Sequence, residues 1–370
     1  MREIRTARVP VRVWARRVDD RALAQLTRIA NAPWAFGFVA AMADVHVSEG
    51  VAVGTVFATE HEVVPGALGG DLGCGMTAVR LAVEASAIDL RRVIEDWSRV
   101  IPVGTALHRG RGATVPDALL AQPLSTHALH RTREALSRKH LGTLGGGNHF
   151  LEIDRDAEGR AWLLVHSGSR GLGAAIAGHH VRVSGSPLSA LDVRESAGAA
   201  YLRDHTWALS FAAHNRRALV DAALGVLGEH APVAVEEIVD VHHNFAARER
   251  WLDRELVVHR KGAIAVPAGA RALIPGSMGT ASYVVEGLGN PASFGSCSHG
   301  AGRVMSRSEA RAKVEPAALA RSMRHVVHAS SRDLVEEAPC VYRDIREVLE
   351  DQEDLVTRRT RLEPIAVLKG

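Results

Sequence analysis

The chain has 370 residues, of which 46% are hydrophobic and 24% charged, so it can form one large core or two modest ones. Its net charge is only +3, which does not by itself indicate a nucleic-acid partner. No apolar run is long enough to span a bilayer, and the alternating N-terminus MREIRTARVPVRVW lacks the apolar core of a signal peptide. We therefore expect a soluble, cytoplasmic protein with no membrane partner, and the odd count of three cysteines argues against a disulfide framework.

Periodicity predicts strands and helices in an irregular order. Up to residue 140 it predicts a strand over 1–14, a helix over 20–30, a strand-like region broken by glycines over 40–64, a strand over 77–85, and helices over 88–100 and 125–140. Beyond that it predicts strands at 151–153 and 162–165, a helical block over 187–230, strands over 235–245 and 255–266, a turn and strand over 274–287, helices over 308–330 and 343–351, and a strand over 361–370. Asp19 or Asp20 caps the first helix and Ser125 the third. This irregular order indicates a single α+β domain over 1–370 rather than a doubly wound fold.

Short Gly/Ser-rich turns follow several of the predicted strands and carry reactive side chains. In GGDLGCGM (69–76), the spacing lets a tight turn aim the carboxylate of Asp71 and the thiolate of Cys74 at one point. Together with imidazoles, these groups would form a metal site of borderline softness, which by ligand type admits zinc, iron or manganese. The simpler interpretation is a glycine-rich turn with a buried cysteine.

Four of the 19 histidines lie in comparable turns. His149 follows three glycines and an asparagine, His166 ends an apolar strand, His243 lies in VHHN, and His299 lies among small residues in SCSHGAGR. Taken singly, each is more often a structural histidine in the core or on the surface. His108, in the arginine-rich HRGRG loop (108–112), is expected to lie in an exposed turn, with contact to RNA as the alternative.

Nine short motifs in order resemble those of the RtcB-type RNA ligase family. They are DVH (44–46), GGDLGCG (69–75), LGGGNHFLE (144–152), HSGSRGLG (166–173), VHHN (241–244), HRKGA (259–263), PGSMGTASYV (275–284), HGAGRVMSR (299–307) and LKG (368–370). The resemblance implies an RtcB-like fold, with twisted mixed β-sheets around a central metal cleft and helices outside. It also implies GTP- and Mn²⁺-dependent joining of an RNA 3′-phosphate or 2′,3′-cyclic phosphate to a 5′-hydroxyl, in RNA repair or splicing.

The resemblance also implies roles for particular residues. His299 matches the nucleophile that becomes guanylated, and Asp44 matches the aspartate that orients it. The residues that match ligands of two manganese ions are Asp71, Cys74, His149, His166 and His243. The residues that match the GTP site are Asn148, Phe150, Glu152, Ser277, Ser282, Gly300, Ala301, Gly302, Tyr342 and Lys369. The basic residues that match contacts to phosphate or RNA are Arg170, Arg303 and Arg307.

The chain also departs from the family pattern. It is shorter than many members, which leaves open its RNA substrate and its need for an archease-type activator. His242 adds a second histidine to VHHN, and we choose His243 as the ligand because it directly precedes Asn244. Two alternative functions remain: a metal-dependent phosphoesterase that opens cyclic phosphates without joining ends, and a non-catalytic RNA-binding protein.

Overall fold

The computed structural model describes residues 1–108, 113–329 and 332–370. The strands are β1 (Arg2–Ile4), β2 (Val11–Val13), β3 (Phe36–His46), β4 (Val53–Thr59), β5 (Glu62–Val63), β6 (Gly75–Glu84), β7 (Phe150–Arg155), β8 (Arg160–Ser167), β9 (Leu191–Asp192), β10 (Val235–His242), β11 (Asn244–Trp251), β12 (Arg254–Lys261), β13 (Ala263–Ala265), β14 (Arg271–Ile274), β15 (Ser282–Gly287), β16 (Ser296–Ser298), β17 (Val327–His328) and β18 (Val356–Lys369).

The helices surround these strands. They are α1 (Asp20–Ala30), α2 (Leu90–Val100), α3 (Asp117–Ala121), α4 (His127–His140), α5 (Arg170–Ser184), α6 (Ser196–His230), α7 (Arg307–Lys313), α8 (Pro316–Ser322) and α9 (Ile345–Glu350). None of these described helices, the 35-residue α6 included, is both long and apolar enough to cross a membrane.

Two large mixed sheets form the framework, which confirms the α+β prediction. A six-stranded sheet has the order β1-β2-β3-β4-β12-β11, and only its β2–β3 pair is parallel. An eight-stranded sheet has the order β10-β6-β8-β7-β18-β15-β14, with β17 added in parallel to β18. The long helix α6 covers the second sheet by burying Leu219, Ala223 and Leu227 in one apolar cluster with the inner residues of β6, β7 and β8.

The register of the eight-stranded sheet determines where its loops meet. Because neighbouring strands are antiparallel, the end of β10, the start of β6, the end of β8 and the start of β7 lie at one edge: His242 pairs with Gly75, Gly75 with Ser167, and His166 with Phe150. The end of β18 lies there too, where Lys369 pairs with Phe150. Five segments that are distant in sequence therefore converge at this edge.

Several local predictions hold and several are wrong. Helix α1 has the predicted bounds and is capped by Asp19, whose carboxylate accepts a hydrogen bond from Arg21 N at 2.8 Å. The predicted cap Ser125 instead bonds Asp204, and Thr126 caps α4.

The other corrections concern the bounds of elements. The predicted strand over 1–14 is two strands. The predicted strand over 235–245 covers β10 and the start of β11, and 308–330 contains two short helices followed by β17. The block over 187–230 becomes helical only at residue 196, and α5, which begins in the Gly/Ser turn after β8, was not predicted.

Two carboxyl groups on β7, those of Glu152 and Asp154, are buried beside each other. Asp154 is fully buried, and both of its carboxylate oxygens are without a hydrogen bond among the described residues. Burial raises the pKa of Asp154 to about 7, and burial together with the Asp154 carboxylate raises the pKa of Glu152, two residues away on the same face. This carboxyl pair therefore costs folding free energy when it ionises.

Asp154→Asn is expected to stabilise the protein at neutral pH. Because the pKa of Asp154 is higher in the folded than in the unfolded state, the free energy of unfolding falls as pH rises from about 4 to about 7. The neutral amide removes this loss, which is at most about 4 kcal/mol because one pKa unit corresponds to about 1.4 kcal/mol. Urea unfolding at pH 5 and pH 8 measures the effect.

Asp156→Asn serves as the matched control, because the Asp156 carboxylate accepts hydrogen bonds from Trp162 Nε1 at 2.9 Å and from two backbone N–H groups. This variant is expected to lose stability. A loss of stability in Asp154→Asn at pH 8 would contradict the assignment.

Candidate metal centre and nucleotide cavity

The glycine-rich turn before β6 positions Asp71 and Cys74. Gly73 has a φ of +71°, and a Cβ there would lie 2.9 Å from the Ala212 Cβ, so only glycine fits against α6. Cys74 is buried, with only 3% of its surface exposed, and it directly precedes the first residue of the strand. The turn thereby carries a thiol into the sheet edge where the loops converge.

Two imidazoles lie next to this thiol, and a third lies against one of them. Cys74 Sγ lies 3.4 Å from His149 Nε2 and 3.3 Å from His166 Nε2, and His166 Nε2 lies 3.1 Å from His243 Nε2. Asp71 Oδ2 lies 3.1 Å from His149 Nε2. We call these five residues the thiol–imidazole cluster, and the Cys74, His149 and His166 donor atoms are close enough together to hold one metal ion.

Hydrogen bonds outside the cluster determine which ring nitrogens face inward. His149 Nδ1 donates to the Leu144 carbonyl at 2.9 Å, and His166 Nδ1 donates to the Asn148 carbonyl at 3.0 Å. With Nδ1 bonded to a carbonyl, each ring turns Nε2, the nitrogen that can act as a metal ligand, toward Cys74 Sγ. Lone pairs held this close are stabilised by a cation between them, so the donor set fits a metal ion.

Electrostatics within the cluster are consistent with this fit. Burial lowers the pKa of both His166 and His243, so both rings are neutral and available as ligands. Burial, and next the Asp71 carboxylate, raise the pKa of the Cys74 thiol. A metal ion would therefore have to displace the thiol proton on binding.

His299 lies beside the cluster and is held by Asp44. His299 Nδ1 and Asp44 Oδ2 are 2.6 Å apart, and the His299 backbone N–H donates to the same oxygen at 3.2 Å. Asp44 is fully buried on β3, and although burial raises the pKa of its carboxyl group, the adjacent His299 imidazole brings it below its ordinary value. The centroids of the His243 and His299 rings are 4.7 Å apart, which places the Asp44–His299 pair in contact with the cluster.

A cavity of about 230 Å³ lies beside His299, which is part of its lining. All ten residues predicted for the GTP site line it, together with Arg303 and Arg307. Those ten are Asn148, Phe150, Glu152, Ser277, Ser282, Gly300, Ala301, Gly302, Tyr342 and Lys369. His166 lines the cavity too, so the cavity and the thiol–imidazole cluster share a wall.

A network of polar groups closes the far wall of the cavity. Glu337 accepts a hydrogen bond from Arg303 Nη1 at 3.1 Å and another from the Tyr342 hydroxyl, and it lies 3.4 Å from Lys369 Nζ. Burial lowers the pKa of Lys369, whose ammonium group lies 5.4 Å from the centre of the Phe150 ring. The wall therefore presents both charged donors and an aromatic face.

Sequence reasoning assigned no site role to five residues that line this cavity: His46, Pro275, Gly276, Met278 and Glu337. Glu337 lies in a 3₁₀ turn without any recognisable motif, so no sequence signal distinguishes it. His46 is the last residue of the DVH motif, which could have suggested it. Its Nδ1 donates to the Asp44 carbonyl at 2.8 Å, and burial lowers its pKa to about 4.

Arg170 does not join the other two predicted phosphate-binding arginines. Its Nε donates to Thr143 Oγ1 at 3.3 Å, its guanidinium lies beside His149, and its φ of +57° is unusual for a residue with a side chain. A Cβ on residue 145 would lie 2.1 Å from the Arg170 Nη1 and would clash with it. Glycine at this position therefore leaves room for the guanidinium. Arg170 therefore lies against the cluster and does not line the cavity.

The remaining histidine predictions have different outcomes. His242 turns away from the cluster, and its Nδ1 donates to the Gly73 carbonyl at 2.9 Å, so of the two neighbours only His243 enters it. His108 was expected in an exposed turn but is half-buried, because it packs near Gly142. Residues 109–112, the rest of its arginine-rich loop, lie outside the described residues.

The fold and the site together define an α+β protein in which a potential metal centre adjoins a polar cavity and a carboxylate-held histidine. The family model described as tRNA-splicing ligase RtcB matches residues 25–370. The chain therefore belongs to the RtcB family.

Similar proteins extend over nearly the whole chain. The RNA-splicing ligase RtcB of Escherichia coli (strain K12) is 35% identical over 405 residues, covering 99% of this chain and 98% of that protein. The RNA-splicing ligase RtcB of Mycobacterium bovis is 33% identical, with 94% of this chain and all of that protein covered. The tRNA-splicing ligase RtcB of Pyrobaculum aerophilum is 28% identical, with 98% and 95% covered.

Proposed function

We propose that this chain, acting as one catalytic domain over 1–370, is a GTP- and Mn²⁺-dependent RNA ligase. It joins RNA 3′-phosphate or 2′,3′-cyclic phosphate ends to 5′-hydroxyl ends through a histidine–GMP intermediate. The observation that carries the proposal is the position of His299, which is held by Asp44 between the thiol–imidazole cluster and the cavity. The names of the relatives, RNA-splicing and tRNA-splicing ligases, support the reaction class.

His299 acts as the nucleophile in the first step. Asp44 holds the proton on Nδ1, so Nε2 carries the lone pair that attacks the α-phosphorus of GTP. An N–P bond forms, the bond to the β-phosphate oxygen breaks, and pyrophosphate leaves with that electron pair. Asp44 stabilises the positive charge that develops on the ring.

The second step releases His299, and the third step joins the two RNA ends. An oxygen of the RNA 3′-phosphate attacks the phosphorus of the histidine–GMP, the N–P bond breaks, and the RNA end is capped with GMP. The 5′-hydroxyl of the second RNA then attacks the RNA phosphate, loses its proton, and GMP leaves with the electron pair of the broken bond. A cyclic phosphate end must first be hydrolysed to a 3′-phosphate.

The thiol–imidazole cluster would hold the metal ions. Asp71, Cys74, His149, His166 and His243 would serve as ligands, and we propose two manganese ions on the basis of the family resemblance. When bound, the ions would neutralise negative charge on the phosphates during transfer.

The cavity would bind GTP. We propose that the Phe150 ring and the Glu152 carboxyl group contact the guanine and that Lys369 lies beside it. Asn148, at the wall shared with the cluster, would contact the phosphates. The loop over 300–302 would bring its backbone close to the same nucleotide.

End-joining of two defined RNAs tests the proposed function. One RNA carries a 3′-phosphate or a cyclic phosphate and the other a 5′-hydroxyl, and GTP and Mn²⁺ are omitted in turn. We expect a joined product only with both present, and an archease-type activator forms a separate arm. Opening of the cyclic phosphate without joining would indicate the phosphoesterase, and RNA binding without either reaction would indicate a non-catalytic protein.

A second, larger depression suggests how RNA reaches His299. This groove of about 970 Å³ shares His46, Arg303 and Arg307 with the nucleotide cavity. Arg17 and Arg21 also line it, and within the described part of the chain neither forms an ion pair through its side chain. We propose that the groove binds the phosphates of an RNA strand.

Replacing both Arg17 and Arg21 by alanine is expected to weaken RNA binding about 5- to 10-fold at low salt. The slope of log K against log salt should fall by about 1.4, because each phosphate contact to a single strand contributes about 0.7. Fluorescence anisotropy of a labelled single-stranded RNA across a salt series measures both values. Arg91→Ala, an exposed arginine on α2 outside the groove, is the control, and equal slopes for both variants would contradict the RNA path.

A further inference from the structure

Two neighbouring residues of α6 lie directly behind the thiol–imidazole cluster. Asn215 and Arg216 are both completely buried, although amide and guanidinium groups are usually exposed. Burying such groups costs free energy unless they are fully hydrogen-bonded. Their bonds run to backbone and side-chain groups of the segments that carry the proposed metal ligands.

Arg216 connects three strands of the eight-stranded sheet. Its Nη1 donates to the Gly73 carbonyl at 2.9 Å, one residue before Cys74, and reaches the Ser167 carbonyl, one residue after His166, at 3.4 Å. Its Nε and Nη2 form a bidentate pair with Asp240 at 2.7 and 2.8 Å, on the strand that leads to His243. One rigid guanidinium thus holds the backbone next to Cys74, the backbone next to His166 and the strand that leads to His243.

Asn215 connects the loop that leads to His149 with the end of β8. Its Oδ1 accepts a hydrogen bond from Gly142 N at 2.7 Å, and its Nδ2 donates to the Thr143 carbonyl, to Ser167 Oγ and to the Gly168 carbonyl at 3.0–3.2 Å. The Ser167 hydroxyl in turn donates to the Leu144 carbonyl at 2.8 Å. That carbonyl also accepts the hydrogen bond that keeps the His149 Nε2 facing the cluster.

We propose that Asn215 and Arg216 are the positioning residues of the metal centre. They hold four loops, drawn from distant parts of the sequence, in the relative positions that Cys74, His149, His166 and His243 need to bind one ion or pair of ions. This inference rests on the metal-binding part of the proposed function. A metal site tolerates displacements of only about 0.5 Å, and four ligands on separate loops require a common support of this kind.

Binding of Co²⁺ alone tests the proposal without RNA or GTP. Co²⁺ bound to a thiolate gives a charge-transfer absorption band in the near ultraviolet, which reports the contact with Cys74. Arg216→Lys retains the positive charge but loses the fork of donors, and Asn215→Asp retains the shape but loses the Nδ2 donor. Each is expected to weaken Co²⁺ binding about 10- to 100-fold and to shift or reduce the band at saturating metal.

The matched control is Arg260→Lys. Arg260 is also buried, with only 1% of its surface exposed, and pairs with Glu249 and with the Phe294 carbonyl rather than with the metal loops. It should lose thermal stability while keeping the band and affinity of the wild type. A purely structural role for Arg216 would make the two lysine variants behave alike.

Ser167→Ala keeps the test decisive if the α6 variants do not fold. It removes only the hydroxyl that links Asn215 to the Leu144 carbonyl, and we expect about a 10-fold loss of Co²⁺ affinity. Folded variants with wild-type affinity and spectrum would overturn the positioning role while leaving the ligase proposal intact. A wild-type protein without the thiolate band would instead overturn the metal site, and this inference with it.

Discussion

His299→Ala is expected to abolish covalent attachment of GMP to the protein. The wild type, incubated with Mn²⁺ and GTP labelled at the α-phosphate, should acquire label through a bond that is labile in acid and stable in base, as an N–P bond is. Because the ring of His299 is the proposed nucleophile, alanine leaves nothing for the α-phosphorus to bond to. Denaturing electrophoresis should show less than about 1% of the wild-type label.

Two further variants make this result specific. His214→Ala removes an exposed histidine on α6 and should keep full labelling. Its Nδ1 donates to the Ser210 carbonyl of its own helix. Asp44→Asn leaves His299 in place but removes the carboxylate that holds its proton, so labelling should slow by about 10²-fold or more. Label that persists in His299→Ala would contradict the proposed nucleophile.

Periodicity predicted the elements whose pattern is local. Helix α1 has both an amphipathic pattern and an aspartate cap, and its predicted bounds match the structure. Helix α5 lacks such signals because it begins with Arg170, Gly171, Leu172 and Gly173, which read as a turn. Its helical state depends on packing against α4 and α6, a tertiary effect that no local pattern records.

The sequence predicted more of the candidate site than of the fold. Its side chains lie in short glycine-rich motifs, and the structure brings the five predicted ligands and His299 together; their roles stay predictions. The ligands converge because the sheet is antiparallel there. The start of one strand lies beside the end of its neighbour, so the loops that carry the ligands meet at one edge.

The supporting residues could not be found in this way. Glu337 contacts the distant Lys369 and the nearby Tyr342, and the Asn215–Arg216 pair contacts backbone carbonyls of other loops. Every residue has a backbone carbonyl, so a bond to one requires no particular residue type at the partner position and gives no sequence signal.

Cys74→Ala is expected to remove most of the metal binding and to reduce RNA joining at least about 10³-fold. Cys74 Sγ lies within 3.4 Å of two imidazoles, so its loss takes the central donor from the cluster and leaves a cavity between the two rings. Metal content after gel filtration, measured by mass spectrometry, should fall well below that of the wild type. Labelling of His299 by GTP should fall in parallel.

Cys297→Ala is the matched control for this variant. Both thiols are buried and burial raises the pKa of both. The Cys297 Sγ, however, bonds the Ser298 carbonyl and lies outside the cluster. If burial alone made a cysteine important here, the two variants would lose stability and activity together. If Cys74 is a ligand, only Cys74→Ala loses metal, and metal binding by the wild type should strengthen with rising pH because the thiol proton is released on binding. Equal metal content in the two variants would exclude Cys74 as a ligand.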